Sequence, residues 1–185
     1  YKTDAEKGQV MEAANRLSAE LKAAGVRIKM DDREEVTPGF KFNDWEMRGV
    51  PLRLEIGPKD VASKKVTLAR RDMPGKSSRL SADESAVAST VETVLREIQL
   101  SMLARATVFR DANIHDPKSF EELKEVLQGG WALSWWCGST DCEAKVKAET
   151  KATTRNIPFD QPEGGGKCIV CGRPAEKKVY FARSY

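Results

Sequence analysis

The stretch Thr37-Pro-Gly-Phe-Lys-Phe-Asn-Asp-Trp-Glu-Met-Arg-Gly-Val-Pro-Leu-Arg-Leu-Glu-Ile56 joins a helix signal directly to a strand signal. Thr37 is a favourable N-cap, and Pro38 suits the first helical position because an N–H there would have no partner within the helix. We therefore expect a short helix that ends near Gly49. Alternating apolar and polar side chains over residues 51–56 then predict a half-buried strand. A helix followed at once by a strand is typical of an α/β fold.

Similar signals lie on both sides of this stretch. Apolar side chains at three- and four-residue steps predict a first helix from about Asp4 to Ala24, and residues 26–30 and 65–70 alternate like strands. The resulting order is α, β, α, β, β. Because parallel strands need crossover helices, we expect a mixed sheet with flanking helices, from which the first strand is missing.

A long helix is expected to follow this sheet. A turn-rich break over residues 73–78 precedes Ser81 and Glu84, whose capping-box spacing predicts where the helix begins. The apolar stripe of the helix should consist of Val87, Val91, Val94, Ile98, Met102 and Phe109. We interpret residues 1–75 as one domain, residues 76–114 as a linking helix and residues 115–185 as a second, small α/β domain.

The small domain carries its own helix and strand signals. A capping box from Ser119 to Glu122 predicts a helix that two glycines end, at residues 129 and 130. Residues 131–136 and 178–183 favour strands, and residues 140–149 favour a short helix. His115 is the single histidine of the chain, and we expect it in a solvated loop.

Four cysteines form two close pairs. Cys137 and Cys142 enclose four residues, and Cys168 and Cys171 enclose two, so each pair can supply half of a tetrahedral sulfur cage. We expect zinc, in a structural site without an open position. Two disulfides, a redox dithiol or free core thiols are the alternatives. Other residues that support a cage are Gly138 and Gly172, which allow tight turns, and Lys145, Lys167 and Arg173, which offset its negative charge.

Composition excludes several classes of protein. With 40% hydrophobic and 32% charged residues, the 185-residue chain matches a globular protein and not a disordered one. No apolar run is long enough for a membrane span, so we expect no membrane partner and a cytoplasmic location. The first residue is Tyr, which predicts a piece of a longer product or a processed form. No group of residues predicts catalysis, and we interpret acidic pairs such as Asp31-Asp32 as solvated loop charge.

Several aromatic and charged residues crowd the short helix and the strand after it. An unpaired guanine offers two donor groups and one acceptor on its edge, so a carboxylate beside a cation, with a ring for stacking, can read it. Glu46, Arg53 or Lys59, and Phe42 fit these roles. The alternative is that Phe42 and Trp45 belong to the core and that the charges form a solvated face.

Residues 31–60 resemble the anticodon-binding domain of prolyl-tRNA synthetase. The two cysteine pairs and the ending Phe181-Ala-Arg-Ser-Tyr185 resemble the zinc-bearing C-terminal domain of the archaeal and eukaryotic type of that family. The resemblance implies that Phe42, Glu46, Arg53 and Lys59 contact the anticodon, whose second and third bases are both G in proline tRNAs. It also implies that the four cysteines hold zinc, and that the carboxylate of Tyr185 reaches toward the proline and ATP pocket of a catalytic domain.

The resemblance further implies the activity of a larger protein. Such a protein would attach proline to tRNA(Pro) with ATP and Mg²⁺, and would be a homodimer. The class II catalytic domain that binds ATP and Mg²⁺ is not in this sequence, so we expect the piece alone to be inactive. A different interpretation is a stand-alone zinc-ribbon module that binds RNA or protein, which predicts no preference among anticodons.

Overall fold

The computed structural model describes residues 2–184, which form two compact units that divide between residues 104 and 105. Both units combine helices with sheets, so the expected α/β class is confirmed. Among the described residues, no helix combines the length and the apolar character that a membrane span requires.

The first unit is a three-stranded sheet with helices. Its strands are β1 (Leu52–Glu55), β2 (Lys65–Arg70) and β3 (Arg79–Asp83), which lie in the order β1-β2-β3 and pair antiparallel throughout. The mixed sheet expected for this unit is therefore not found, because none of its described strands pairs parallel with another. Its helices are α1 (Asp4–Ala23), α2 (Pro38–Met47), α3 (Pro58–Ser63) and the start of α4 (Val87–Ala112). Short 3-10 turns cover Gly75–Ser78 and Glu84–Ala86. The predicted first helix, the predicted short helix and the strands predicted over residues 51–56 and 65–70 are confirmed, within a residue or two at their ends.

Local capping explains where α2 begins and ends. The Thr37 hydroxyl accepts a hydrogen bond from the backbone N–H of Phe40 at 3.3 Å, and Pro38 occupies the first turn. Gly49, just beyond the helix, has a φ of +86°, a conformation that favours glycine. The residues that predicted the start and the end of this helix therefore lie at its start and at its end.

The strand predicted over residues 26–30 is wrong. Val26 and Ile28 do pack against the core, but the segment joins no sheet among residues 2–184. A strand needs hydrogen bonds from a neighbouring strand, and none of the described strands lies beside this segment to supply them. Alternating side chains predict a buried face, which this segment has, but they do not supply a partner.

The long helix begins later than the capping box predicts. Ser81 lies on β3, where it pairs with Thr67 of β2, and α4 begins only at Val87. Pairing along β2 and burial of Ala82 outweigh a local helix signal worth about 1 kcal/mol. The first unit therefore continues past residue 75.

The first half of α4 belongs to the core of the first unit. Its side chains Val87, Val91, Val94 and Ile98 pack with residues of α1 and of one sheet face, namely Leu17, Leu21, Leu52, Val66, Leu68 and Ala82. The predicted stripe is confirmed only over these four positions of the helix, because Met102 and Phe109 are exposed.

A buried ion pair also links this part of α4 to the sheet. The Arg70 guanidinium, at the end of β2, donates to Asp72 at 3.0 Å and to Glu97 of α4 at 2.9 Å. Arg70 and Asp72 are almost completely buried, and a buried charge needs such a partner.

The second unit is a four-stranded mixed sheet with a separate hairpin. In chain order its elements are β4 (Ile114–His115), α5 (Phe120–Val126), β5 (Trp131–Trp136), α6 (Thr140–Thr150), β6 (Ala152–Asn156), β7 (Gly166–Lys167), β8 (Pro174–Ala175) and β9 (Lys177–Arg183). The sheet order is β4-β5-β9-β6, with β4 and β5 parallel, while β7 and β8 form the hairpin. The helices and strands predicted here are confirmed, but His115 lies on β4 instead of in a loop.

The core of the second unit lies between this sheet and its helices. It consists of Leu123, Leu127, Ala132, Val146, Ala152, Val179 and Phe181. The Ser119 hydroxyl caps α5 by accepting the N–H of Glu122 at 3.1 Å, as the capping box predicts. Each unit thus has its own apolar core.

Truncation of Leu68 should destabilise the first unit. Leu68 is completely buried, so Leu68→Ala should lower the free energy of unfolding by about 3 kcal/mol through lost burial and a cavity. Leu100→Ala, at a position 58% exposed on α4, is the matched control and should change it by less than about 0.5 kcal/mol. Urea unfolding followed by circular dichroism measures both. Equal effects of the two substitutions would contradict this assignment of the core.

Candidate functional site

Three of the predicted nucleotide-binding residues lie together. Phe42 and Glu46 are one turn apart on α2, and Arg53 extends toward them from β1. The Arg53 guanidinium lies over the Phe42 ring, 3.9 Å from its centroid, and donates to Glu46 Oε1 at 2.7 Å. No residue of α2 is buried, so the alternative that Phe42 and Trp45 are core residues does not hold.

Alternation along β1 explains why Arg53 is available here. Leu52 and Leu54 point to the apolar core, so Arg53 and Glu55 lie on the opposite face of the sheet. Arg53 Nε donates to Glu55 Oε1 at 2.9 Å, and Arg79 of β3 donates to Glu55 Oε2. We call Phe42, Glu46, Arg53, Glu55 and Arg79 the Arg53 cluster. Its four charges alternate in sign, from Glu46 through Arg53 and Glu55 to Arg79.

Lys59 lies outside the Arg53 cluster. It is in the first turn of α3, is exposed, and forms no ion pair with any residue between 2 and 184. The structure therefore brings together three of the four predicted nucleotide-binding residues, with Lys59 four residues beyond Glu55. Glu55 and Arg79 were not predicted. The alternating pattern of β1 placed Glu55 beside Arg53, but no sequence signal pairs either of them with residue 79.

A second polar network, centred on Asp31, holds α2 against the preceding loop. The Asp31 carboxylate accepts hydrogen bonds from Arg33 Nε and Nη2 at 2.9 and 2.7 Å and from Trp45 Nε1 at 2.8 Å. Arg33 also donates to Asp44 at 2.9 Å. The interpretation of Asp31 as solvated loop charge is wrong, because its side chain is only 12% exposed.

These contacts change how the two aspartates titrate. Hydrogen bonds from Arg33 and Trp45 hold the pKa of Asp31 well below its usual range, although burial acts in the opposite direction. Burial also raises the pKa of Asp44, but hydrogen bonds from Arg33 and Arg48 outweigh it and the net shift is downward. Both carboxylates are therefore charged at neutral pH.

The four cysteines of the second unit lie together. Their sulfur atoms are all within 4.8 Å of one another, and Cys137 Sγ is 3.7 Å from Cys142 Sγ and 3.8 Å from Cys171 Sγ. In a tetrahedron with metal–sulfur bonds of about 2.3 Å, neighbouring sulfurs are about 3.8 Å apart. All four cysteines are free of disulfides. The cluster could therefore hold a metal ion, and a set of four thiols is one that zinc favours.

Each cysteine is positioned by a separate local feature. Cys137 follows β5, Cys142 lies in the first turn of α6, and the β7–β8 hairpin carries Cys168 and Cys171. The backbone N–H of Cys168 donates to the carbonyl oxygen of Arg173 at 2.8 Å, which closes the turn of the hairpin.

Glycines allow the tight turns that position the cysteines. Gly138 and Gly172 have φ angles of +78° and +72°, in agreement with the predicted tight turns. Gly166 meets the Trp135 ring so closely that an added Cβ would lie 2.4 Å from its Nε1. This close contact holds the hairpin against β5, so the two cysteine pairs approach each other.

One of the predicted cations contacts the thiols. Arg173 Nε lies 3.3 Å from Cys171 Sγ, and its Nη2 lies 3.9 Å from Cys137 Sγ. The Arg173 hydrogen bonds lower the pKa of Cys171 to about 6, while burial first and neighbouring thiols second raise the pKa of Cys142 to about 12. Lys145 instead lies over the Phe120 ring, 4.9 Å from its centroid. The predicted C-terminal residue, Tyr185, lies outside the described residues.

Removal of the Asp31 charge should destabilise the first unit in a pH-dependent way. A lowered pKa means that the carboxylate stabilises the fold above its ordinary pKa of about 4, and that this stabilisation is lost as the pH falls through the lower folded-state value. Asp31→Asn should therefore cost about 2 kcal/mol at pH 7, and the difference from the unsubstituted chain should narrow only below about pH 4. Urea unfolding at several pH values measures this. Asp32→Asn, at an exposed neighbour, is the control, and equal effects at positions 31 and 32 would contradict the role of Asp31.

Comparisons with known proteins match segments in both units of the chain. A family model of an anticodon binding domain matches residues 3–91, which include the Arg53 cluster. A second family model, described as the C-terminal region of prolyl-tRNA synthetase, matches residues 120–185, which include the four cysteines. Together the two models account for most of the chain.

Similar proteins match the chain from end to end. A proline–tRNA ligase of Chloroflexus aggregans is 46% identical over 185 residues, which are 100% of this chain and 38% of that protein. A chloroplastic/mitochondrial proline–tRNA ligase of Arabidopsis thaliana is 47% identical over 189 residues, with 100% of this chain and 35% of the relative covered.

A solved structure gives the same result. The crystal structure of prolyl-tRNA synthetase from Cryptosporidium parvum, complexed with L-proline and AMP, has a TM-score of 0.86 and 34% identity. The match covers 96% of this chain and 37% of that one. The chain thus spans little more than a third of the length of these relatives, and it belongs to the prolyl-tRNA synthetase family, where it corresponds to the anticodon-binding and C-terminal part of a proline–tRNA ligase.

Proposed function

We propose that the first unit reads the anticodon of proline tRNA for a ligase that attaches proline to that tRNA. The observation that carries this proposal is the Arg53 cluster: a carboxylate, a guanidinium and an aromatic ring lie in mutual contact on an unburied helix and the outer face of a sheet. It lies within the segment that resembles an anticodon-binding domain. A fixed arrangement of these groups is suited to an unpaired base.

The chemistry of guanine fits the exposed part of this cluster. Glu46 is 44% exposed, and only its Oε1 is engaged by Arg53 among the described residues. Its other oxygen can accept from the N1–H or N2–H₂ group of a guanine, while a cation donates to O6. Arg53 or the exposed Lys59 serves as that cation in this proposal. Because the Arg53 guanidinium covers one face of Phe42, the ring supports the arginine and a base can stack only on what remains open.

The partners follow from the family. We propose tRNA(Pro) as the RNA, with the two G bases of its anticodon as the groups that are read, and a catalytic domain that binds proline, ATP and Mg²⁺ as the protein partner. In the same proposal the parent enzyme is a homodimer, and the carboxylate of Tyr185 approaches the proline and ATP pocket. The activity of the whole ligase requires that catalytic domain, which residues 2–184 do not contain.

We also propose that the four cysteines hold a structural zinc ion. The sulfur distances fit a tetrahedral site, and the two pairs come from different segments of the second unit, β5 with the start of α6 and the β7–β8 hairpin. The ion would supply a charge that allows the buried thiols to be held as thiolates, and it would tie the hairpin to β5 and α6. With all four positions filled by sulfur, the site has no place for a reacting water.

Substitution of Glu46 should reduce the reading of the anticodon. Glu46→Gln loses the carboxylate that accepts from guanine, so it should weaken the binding of proline tRNA about tenfold and the binding of a tRNA with GG changed to CC much less. Filter binding at fixed salt measures both affinities, because phosphate contacts treat the two RNAs alike. Glu92→Gln, in an exposed pair with Arg96, is the control. Equal loss with both RNAs would remove the base-reading role.

Removal of the metal should unfold the second unit alone. We expect one zinc ion per chain under reducing conditions, and chelation should abolish the thermal transition of residues beyond about 131 while the first unit stays folded. The three tryptophans of β5, at positions 131, 135 and 136, report on this unit, and Trp45 reports on the first unit. Cys142→Ser should lose the ion, whereas the neighbouring Asp141→Asn should keep it. Identical unfolding with and without chelator would contradict the structural role.

A further inference from the structure

We propose that Glu55 is a positioning residue for anticodon reading: it fixes the Arg53 guanidinium in the plane needed to hold Glu46 and a base, and Arg79 in turn fixes Glu55. This inference rests on the proposed function of the first unit. It assigns a role to two residues, on β1 and β3, that the sequence pattern does not single out.

The first step is the number of contacts that fix Arg53. Nη1 donates to Glu46 on α2, Nε donates to Glu55 on β1, and the Phe42 ring lies 3.9 Å from the guanidinium carbon. A planar guanidinium with hydrogen bonds at two of its nitrogens and a ring against one face has its orientation determined. Arg53 is 21% exposed, so part of its side-chain surface remains accessible to a base. Loss of the Glu55 contact would leave the arginine with only the Glu46 hydrogen bond and the Phe42 ring to orient it.

The second step separates Glu55 from Glu46. Both carboxylate oxygens of Glu55 are engaged, Oε1 by Arg53 and Oε2 by Arg79, and the side chain is only 19% exposed. Each oxygen of Glu55 therefore already accepts from an arginine, and in this proposal Glu55 acts on RNA through Arg53 instead of accepting from a nucleotide itself. Glu46 is more exposed and retains one carboxylate oxygen without a partner among residues 2–184.

The third step is the space between Arg53 and Arg79 on the sheet, which lets Glu55 contact both arginines. The register pairs Arg53 with Ala69, and Ala69 with Arg79, so an alanine stands between the two arginines on the middle strand. Two strand spacings of about 4.8 Å separate β1 from β3, and only a small side chain between them lets Glu55 reach Arg79 across β2. Ala69 is buried beneath these side chains.

Net charge and positioning predict opposite effects of Glu55→Gln on RNA affinity. Removal of a negative charge beside an RNA site should by itself strengthen RNA binding, because less repulsion of the phosphates remains. Positioning predicts the opposite for the RNA that is read: Glu55→Gln should weaken the binding of proline tRNA. A result in this direction therefore cannot arise from net charge.

The test compares two RNAs with several variants of the 185-residue chain. Filter binding at fixed salt uses a proline tRNA transcript and the same transcript with GG changed to CC. Glu55→Gln should reduce the ratio of the two affinities about fivefold, with binding of the CC transcript unchanged or slightly tighter. Glu84→Gln is the matched control, since Glu84 is 11% exposed and pairs with Arg16 at 2.6 Å elsewhere in the first unit. It should leave the ratio unchanged.

A double substitution tests whether Glu55 acts through Arg53. In an Arg53→Lys background, Glu55→Gln should cause little further loss of discrimination, because the bond that it removes is already gone. A merely structural effect would add to that of Arg53→Lys. Should Glu55→Gln fail to fold, as judged by thermal unfolding, Arg79→Gln serves instead, because Arg79 is half exposed and its loss also frees Glu55. It should reduce the affinity ratio as well.

The outcomes separate this inference from the proposed function. If the unsubstituted chain binds both transcripts equally, the proposed function fails, and with it this inference. If the unsubstituted chain discriminates and Glu55→Gln discriminates equally well, only the positioning role is overturned. Equal weakening with both transcripts, or additive losses in the Arg53→Lys background, would overturn it too.

Discussion

The alternation of side chains along β1 is the constraint on which the first unit depends. Four consecutive residues serve two purposes: Leu52 and Leu54 bury apolar surface in the core, and Arg53 and Glu55 reach the opposite face. A shift of one residue in register would exchange the two sets and place two charges in the core. Core packing therefore fixes the position of Arg53, and the candidate nucleotide-binding residues obtain a rigid base from the same strand.

The helix α2 depends on polar contacts more than on burial. None of its residues is buried, yet Asp31, Arg33 and Asp44 connect it to the preceding loop, and the Trp45 indole N–H joins the same network. Charge-assisted hydrogen bonds are the stronger kind, and several of them meet at a single carboxylate. This explains how an exposed helix can hold Phe42 and Glu46 in a fixed position over Arg53.

The second unit depends on a different arrangement, in which a short hairpin outside the four-stranded sheet is joined to that sheet. The hairpin is held by the contact between Gly166 and Trp135, by a hydrogen bond from Ile169 to Trp135, and by the group of four thiols. These thiols come from three separate segments. A metal ion bound there would add to the apolar contacts of the hairpin and tie the three segments together, as in other small metal-stabilised folds.

The sequence by itself determined five of the six helices and four of the nine strands among the described residues, together with the cysteine pairs and the residues of α2 and β1 that meet at the Arg53 cluster. These features depend on local patterns: a cap at Thr37, alternation over residues 51–56, and close spacing of Cys168 and Cys171. Only the tertiary structure decided that residues 79–83 form a strand, that residues 26–30 do not, that Asp31 is enclosed by partners, and that Glu55 reaches Arg79. Except for Arg33, which is two residues from Asp31, the deciding hydrogen-bond partners are distant in sequence or absent, and local patterns carry no information about such partners.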